Sequence, residues 1–204
     1  MFTAESPIIS PQSASMPQVS AYILARPHGE YSDHAISEVI VPAYFVNCVA
    51  VGIDPVLAIA QMLHETGNLT SFWSARPQRN PAGIGVNGRK QAEEPADKTN
   101  WSFNTQRNQW EFGMSFATWE NDAIPAHVGR LLAYTLPAGA ENDAQRNAIT
   151  KALSYRILPA KMRGSAPVLR MLGKVHNPTG EGWASPGDRY GEMIAEIANR
   201  IGKM

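Results

Sequence analysis

Glu65 closes the apolar run Leu57-Ala58-Ile59-Ala60-Gln61-Met62-Leu63-His64 and is followed at once by Thr66-Gly67. A glutamate in the last turn of a helix stands beside carbonyls that lack intrahelical partners, at the negative end of the macrodipole, and both disfavour its charge. Apolar neighbours remove solvent as well. These effects raise the carboxyl pKa, and a carboxylic acid that keeps its proton near neutrality can donate it to a glycosidic oxygen. Phe72 and Trp73, in the stretch that follows, offer flat surfaces for sugar rings. The same spacing also fits an exposed glutamate that merely ends a helix, so the chemistry has to be carried by more than this residue.

Other strings that suggest chemistry lack their context. Residues 83–88, GIGVNG, fit the dinucleotide-binding pattern, but neither a strand before them nor a helix after them is evident, and they read as a turn. His64-Glu65 opens a zinc-protease motif, yet position 68 is Asn where the second histidine is needed, and no metal site is expected. With one cysteine, Cys48, no internal disulfide can form, and its apolar neighbours read it as a buried small side chain. Eighteen basic and eighteen acidic residues give a formal charge of +0, which argues against a nucleic-acid groove. No run of about 18 apolar residues predicts a membrane span. The first residues, MFTAESPIISPQSASMP, lack the basic start and apolar centre of a secretory signal.

The elements that must position Glu65 are mostly helical. Residues 1–31 read as an N-terminal arm, rich in Ser, Pro and Gln over its first 20, and 32–204 as one domain. A helical stripe of Ile36, Val39, Ile40 and Ala43 runs from about Ser32 to Val51, with Pro42 bending or dividing it. Asp54-Pro55 is an N-cap with proline at the first helical position, and predicts a helix from Val56 to Glu65 that stops at Thr66-Gly67. Residues 68–100 have no period and predict a long ordered loop. WSFNTQRNQWEFGMSFATW then predicts a β-hairpin over about 100–118, turning at Thr105–Asn108. Helices follow at about 122–135, 143–155, 166–172 and 190–202, the last with Met193, Ile194, Ile197, Ala198 and Ile201 on one face. The expected fold is mainly α within an α+β class: a helical lobe with a small β-hairpin lobe.

Residues 54–88, DPVLAIAQMLHETGNLTSFWSARPQRNPAGIGVNG, resemble the signature region of the bacterial glucosaminidase family, the peptidoglycan endo-β-N-acetylglucosaminidases. The shared features are Ala60-Gln61, Glu65-Thr66-Gly67, Ser71 or Ser74, Asn80 and Gly83-Ile84-Gly85. Downstream, FGMSFATWENDAIPAHVGRLLAY resembles the family's strand and following helix, and WASPGDRYGEMI its closing segment, so the likeness runs from about residue 35 to the C-terminus. The resemblance implies a lysozyme-like fold, peptidoglycan glycan strands as partner, no cofactor, an extracellular or cell-wall location, and Glu65 as the catalytic acid. It also points to Asn80 and Tyr190 as substrate-binding residues, and to Trp183 and His127, which stand where relatives commonly have tyrosine; Trp73 joins them as a flat surface beside the acid. Family members often place a second glutamate on the first strand of the β lobe, where Trp101–Asn104 here holds none. Glu93, Glu94, Asp97 and Glu111 are the nearby acids, with Glu111 and Glu94 the candidates. Substrate assistance by an N-acetyl group is the alternative to a second carboxylate. A muramidase, a lytic transglycosylase, or a non-catalytic wall-binding module on the same scaffold also fits these residues.

Overall fold

Helix α3 (Pro55–Thr66) is apolar on every side for most of its length, so it can be stable only if other elements enclose it. They do: every residue from Pro55 to Leu63 is buried in the structure, a computed structural model that describes residues 1–204. Asp54 caps the helix, its Oδ1 accepting from the Val56 N–H at 2.9 Å, and Pro55 occupies the first turn, where no N–H is needed. Gly67, at φ +57°, ends it, and its N–H returns to the Leu63 carbonyl. Asn68 and Leu69 continue in the same left-handed conformation, at φ +59° and +67°, turning the chain sharply away two residues after Glu65.

Helices α2 (Val41–Val51) and α6 (Tyr190–Ile201) pack directly on α3, α4 (Ile124–Thr135) packs on α2 and reaches α3 through His127 and Gln61, and α5 (Asp143–Tyr155) packs on α4 and α2. The stripe beginning near Ser32 is divided as Pro42 requires. Ala35–Ile40 form a wide π-helical turn in which the Val41 N–H reaches the Ile36 carbonyl, and α2 proper follows. The entry to α4 repeats the device, with a π turn over Trp119–Ala123 just before Pro125.

The β excursion is a three-stranded antiparallel sheet in the order β1 (Lys90–Gln91), β3 (Gln109–Phe112), β2 (Trp101–Asn104). Trp101 faces Phe112, and Asn104 faces Gln109 across the expected turn. The cross-strand aromatic pairs Trp101/Phe112 and Phe103/Trp110, with ring centres 5.3 and 5.4 Å apart, hold the hairpin in register. Six α-helices with one small antiparallel sheet make this an α+β fold.

Two expectations need correction. The arm, in which no helix is expected, carries one: α1 (Met16–Leu24) starts on a reciprocal capping box between Ser15 and Gln18. Ahead of α1 the chain is docked, with Ile8 fully buried, its N–H on the Pro167 carbonyl at 3.1 Å, and Ile9 bridged to Ile53. The same pairing explains the second difference. Residues 166–172 contain only a short 3₁₀ turn, Leu169–Leu172, because Pro167 and Val168 give their backbone to the arm. No helix is long and apolar enough to cross a membrane.

Candidate active site

The last turn of α3 delivers Glu65 to a cleft of about 580 Å³. One wall is the turn Ala82–Val86. The other is made by Arg130 and Tyr134 of α4, Arg156 just past α5, and the segment Gly182–Ala184, with Tyr190 and His64 beside the acid. The turn is held by Asn80, whose amide donates to the Ile84 and Met114 carbonyls at 2.7 and 2.9 Å and accepts from the Ala82 and Ile84 N–H groups at 3.2 and 2.9 Å. Those four bonds use the whole capacity of the side chain. Gly83 and Gly85 run at φ +61° and +78°. A Cβ on Gly85 would stand 2.6 Å from Met114 Cγ, so only glycine lets the turn approach so closely.

Burial raises the Glu65 pKa above the ordinary glutamate value, with the Tyr190 hydroxyl and the Trp183 indole N–H opposing it in part. The two carboxyl oxygens have different surroundings. Oε1 accepts a hydrogen bond from the Tyr190 hydroxyl. Oε2 has no hydrogen bond within 3.5 Å, is not sealed from solvent, and faces Gly83, whose Cβ position lies 3.8 Å away. A proton on Glu65 is therefore carried on the oxygen that looks into the cleft.

Behind Tyr190 lies a chain of buried hydrogen bonds with one direction. Gln61 Nε2 donates to the Tyr190 oxygen at 3.0 Å, which leaves the Tyr190 proton for Glu65. Gln61 Oε1 is 3.0 Å from His127 Nε2, and His127 Nδ1 is 2.8 Å from the Tyr44 hydroxyl. The tyrosine hydroxyl and the amide oxygen fit a neutral imidazole with its proton on Nε2, accepting from Tyr44 and donating to Gln61. Complete burial agrees, lowering the His127 pKa to about 3 and keeping the ring uncharged.

The other residues singled out from the sequence divide between cleft, core and elsewhere. Trp183 and Tyr190 line the cleft with Glu65. Trp183 is set there by its backbone N–H on the Leu172 carbonyl at 2.7 Å and by tilted ring packing on Tyr134 and His127, with centres 5.5 and 5.6 Å away. His127 has no exposed surface and Asn80 none, so neither can touch a substrate: both position residues that can. Trp73 lines a separate groove that adjoins the cleft at Val86. Glu111 faces that groove too, its Oε1 held by Asn104, Gln109 and Arg107 at 3.0, 3.0 and 3.2 Å. Glu94 is exposed and ion-paired to Lys98. Neither candidate second acid stands across from Glu65, which is the one carboxylate lining the cleft.

Reading the sequence missed Arg130, Tyr134 and Arg156. Arg130 and Tyr134 are spaced i, i+4 on α4, with His127 three residues earlier, so a helical-face reading beginning from His127 was the available signal. Arg156 follows α5 and carried none. Gln61 stood in the quoted motif without a role. No family model, curated protein or solved structure matches the chain.

Proposed function

We propose that the protein is a glycoside hydrolase of the peptidoglycan glycan strand, of the endo-β-N-acetylglucosaminidase type, with Glu65 as general acid. The observation that carries this reading is a glutamate with a raised pKa at a helix end, one oxygen bonded to Tyr190 and the other open to a cleft of sugar-chain dimensions. A helical lobe bearing the acid with a small sheet nearby resembles the lysozyme plan. Trp183, half-buried on the cleft wall, supplies an apolar plane on which a sugar ring can stack.

With one carboxylate lining the cleft, the reading favours assistance by the substrate's own N-acetyl group. Glu65 passes its proton to the glycosidic oxygen as the C1–O bond breaks, and the acetamido carbonyl oxygen bonds to C1. Water then attacks C1 and gives its proton back to Glu65 while the bond from the acetamido oxygen breaks. The two displacements at C1 leave its configuration retained.

Mass analysis of purified peptidoglycan after digestion tests the reading. New reducing N-acetylglucosamine ends are expected with the wild-type chain and not with Glu65→Gln. New muramic acid ends would transfer the assignment to the other linkage. Glycan binding without any cleavage would make the protein a wall-binding module.

A further inference from the structure

The cleft wall opposite Glu65's turn carries two guanidinium groups that have no anionic partner. Arg130 and Arg156 both line the cleft, and no carboxylate of the protein lies within 4.0 Å of either. Arg130 is half-buried, with Nη1 donating to the carbonyls of Arg156 and Ile157 at 3.0 and 3.4 Å. Its guanidinium stands 5.8 and 5.9 Å from the ring centres of Tyr134 and Trp183. That seat fixes one edge of the fork and leaves the remaining donors free. Arg156 reaches the opposite wall: its Nη1 is 3.4 Å from the Cβ position of Gly85, in the turn whose Gly83 faces Glu65 Oε2. Two guanidinium groups set together repel, and the half-buried Arg130 loses solvent as well, so the arrangement is stabilised most by a ligand with negative charge. The adjoining groove continues the same sign with Arg89 and Lys90.

We infer that Arg130 and Arg156 form a carboxylate-binding subsite, so the glycan accepted by the cleft carries carboxylates and a neutral polymer of the same sugars is a poor ligand. This deepens the hydrolytic reading above and rests on it. In peptidoglycan the carboxylate can belong to the lactyl ether of a muramic acid without peptide, or to the stem peptide where one is attached. A phosphate-bearing polymer is the competing anion; the aromatic plane of Trp183 between the cations and the acid favours a sugar ring.

The test uses the full-length Glu65→Gln chain, so that ligands stay intact, and calorimetry with three tetrasaccharides of alternating N-acetylglucosamine and muramic acid. One bears free lactyl carboxylates, one stem peptides, and one has its carboxyls reduced to alcohols. At least one carboxylated form is expected to bind about tenfold more tightly than the reduced form, and which of them does so locates the carboxylate. Adding Arg156→Gln, an exposed position where the fold is safe, is expected to shrink that ratio to about twofold. Equal affinity for all three, an unchanged ratio in the Arg156→Gln chain, or tighter binding of an oligonucleotide of similar length would overturn the subsite. The reaction is read separately, from cleavage of the same tetrasaccharides by the wild-type chain. Intact sugars there sink the hydrolytic reading, whatever the affinity ratio.

Discussion

Glu65 has one oxygen committed to Tyr190 and one free, and its carboxyl is held above the ordinary value by burial. Replacing it with Gln keeps the shape and removes the proton, so turnover is expected to fall by about 10²- to 10⁴-fold in a peptidoglycan-clearing assay. Stability should move the other way. Between the unfolded and the higher folded pKa the native chain binds more protons than the unfolded one, so native stability falls as pH rises through that window. Glu65→Gln removes this fall and is expected to be the more stable chain at pH 8, as read by urea unfolding. Tyr190→Phe deletes the one hydroxyl that favours the ionised form. The alkaline limb of the rate profile should then move to higher pH, with kcat/KM down by about tenfold, the scale of one charge-assisted hydrogen bond. An alkaline limb that stays put in this variant would mean Tyr190 does not govern the acid.

At the scale of elements, the hydrogen-bond chain joins Tyr44 of α2, Gln61 of α3, His127 of α4 and Tyr190 of α6 to one carboxyl. His127→Leu leaves the Gln61 oxygen and the Tyr44 hydroxyl buried without partners, and should cost roughly 2–4 kcal/mol in urea unfolding at pH 7. It should also change the acid side. The native chain keeps His127 neutral down to about 3, while the unfolded chain protonates it below 6.5. The unfolded state therefore binds more protons in that window, and stability drops as pH falls through it, by up to about 1.4 kcal/mol per pH unit. A decline of equal steepness in His127→Leu would contradict the placement. None of these partners could be read as partners from the sequence, because they lie 66 to 129 residues apart and packing alone brings them together. What was legible is local: the Asp54-Pro55 start and Gly67 stop of α3, the alternation and turn of the hairpin, the amphipathic face of α6. Helix α1 had a local signal too, Ser15 and Gln18 three apart with Pro17 between them, but the Ser, Pro and Gln around it obscured it. Asn80 and His127 are expected as ligand contacts on the resemblance alone, and their full burial has no signature in an isolated polar residue.

For the whole molecule, the docked arm and the charged cleft matter most. Ile8 is fully buried against the body, so Ile8→Ala is expected to lower stability by about 2–4 kcal/mol within one cooperative unfolding transition. A separate early transition would show that the arm folds on its own account. A chain of formal charge +0 that gathers unpaired arginines on one side of its cleft has used its charge locally, which overall composition concealed. The reading as a whole depends on Glu65 keeping its proton. Carbon-13 NMR titration of the Glu65 carboxyl, assigned by comparison with Glu65→Gln, measures that directly. The account predicts a midpoint above the ordinary glutamate value of about 4.3, coinciding with the alkaline limb of turnover. A midpoint at or below that value would contradict it.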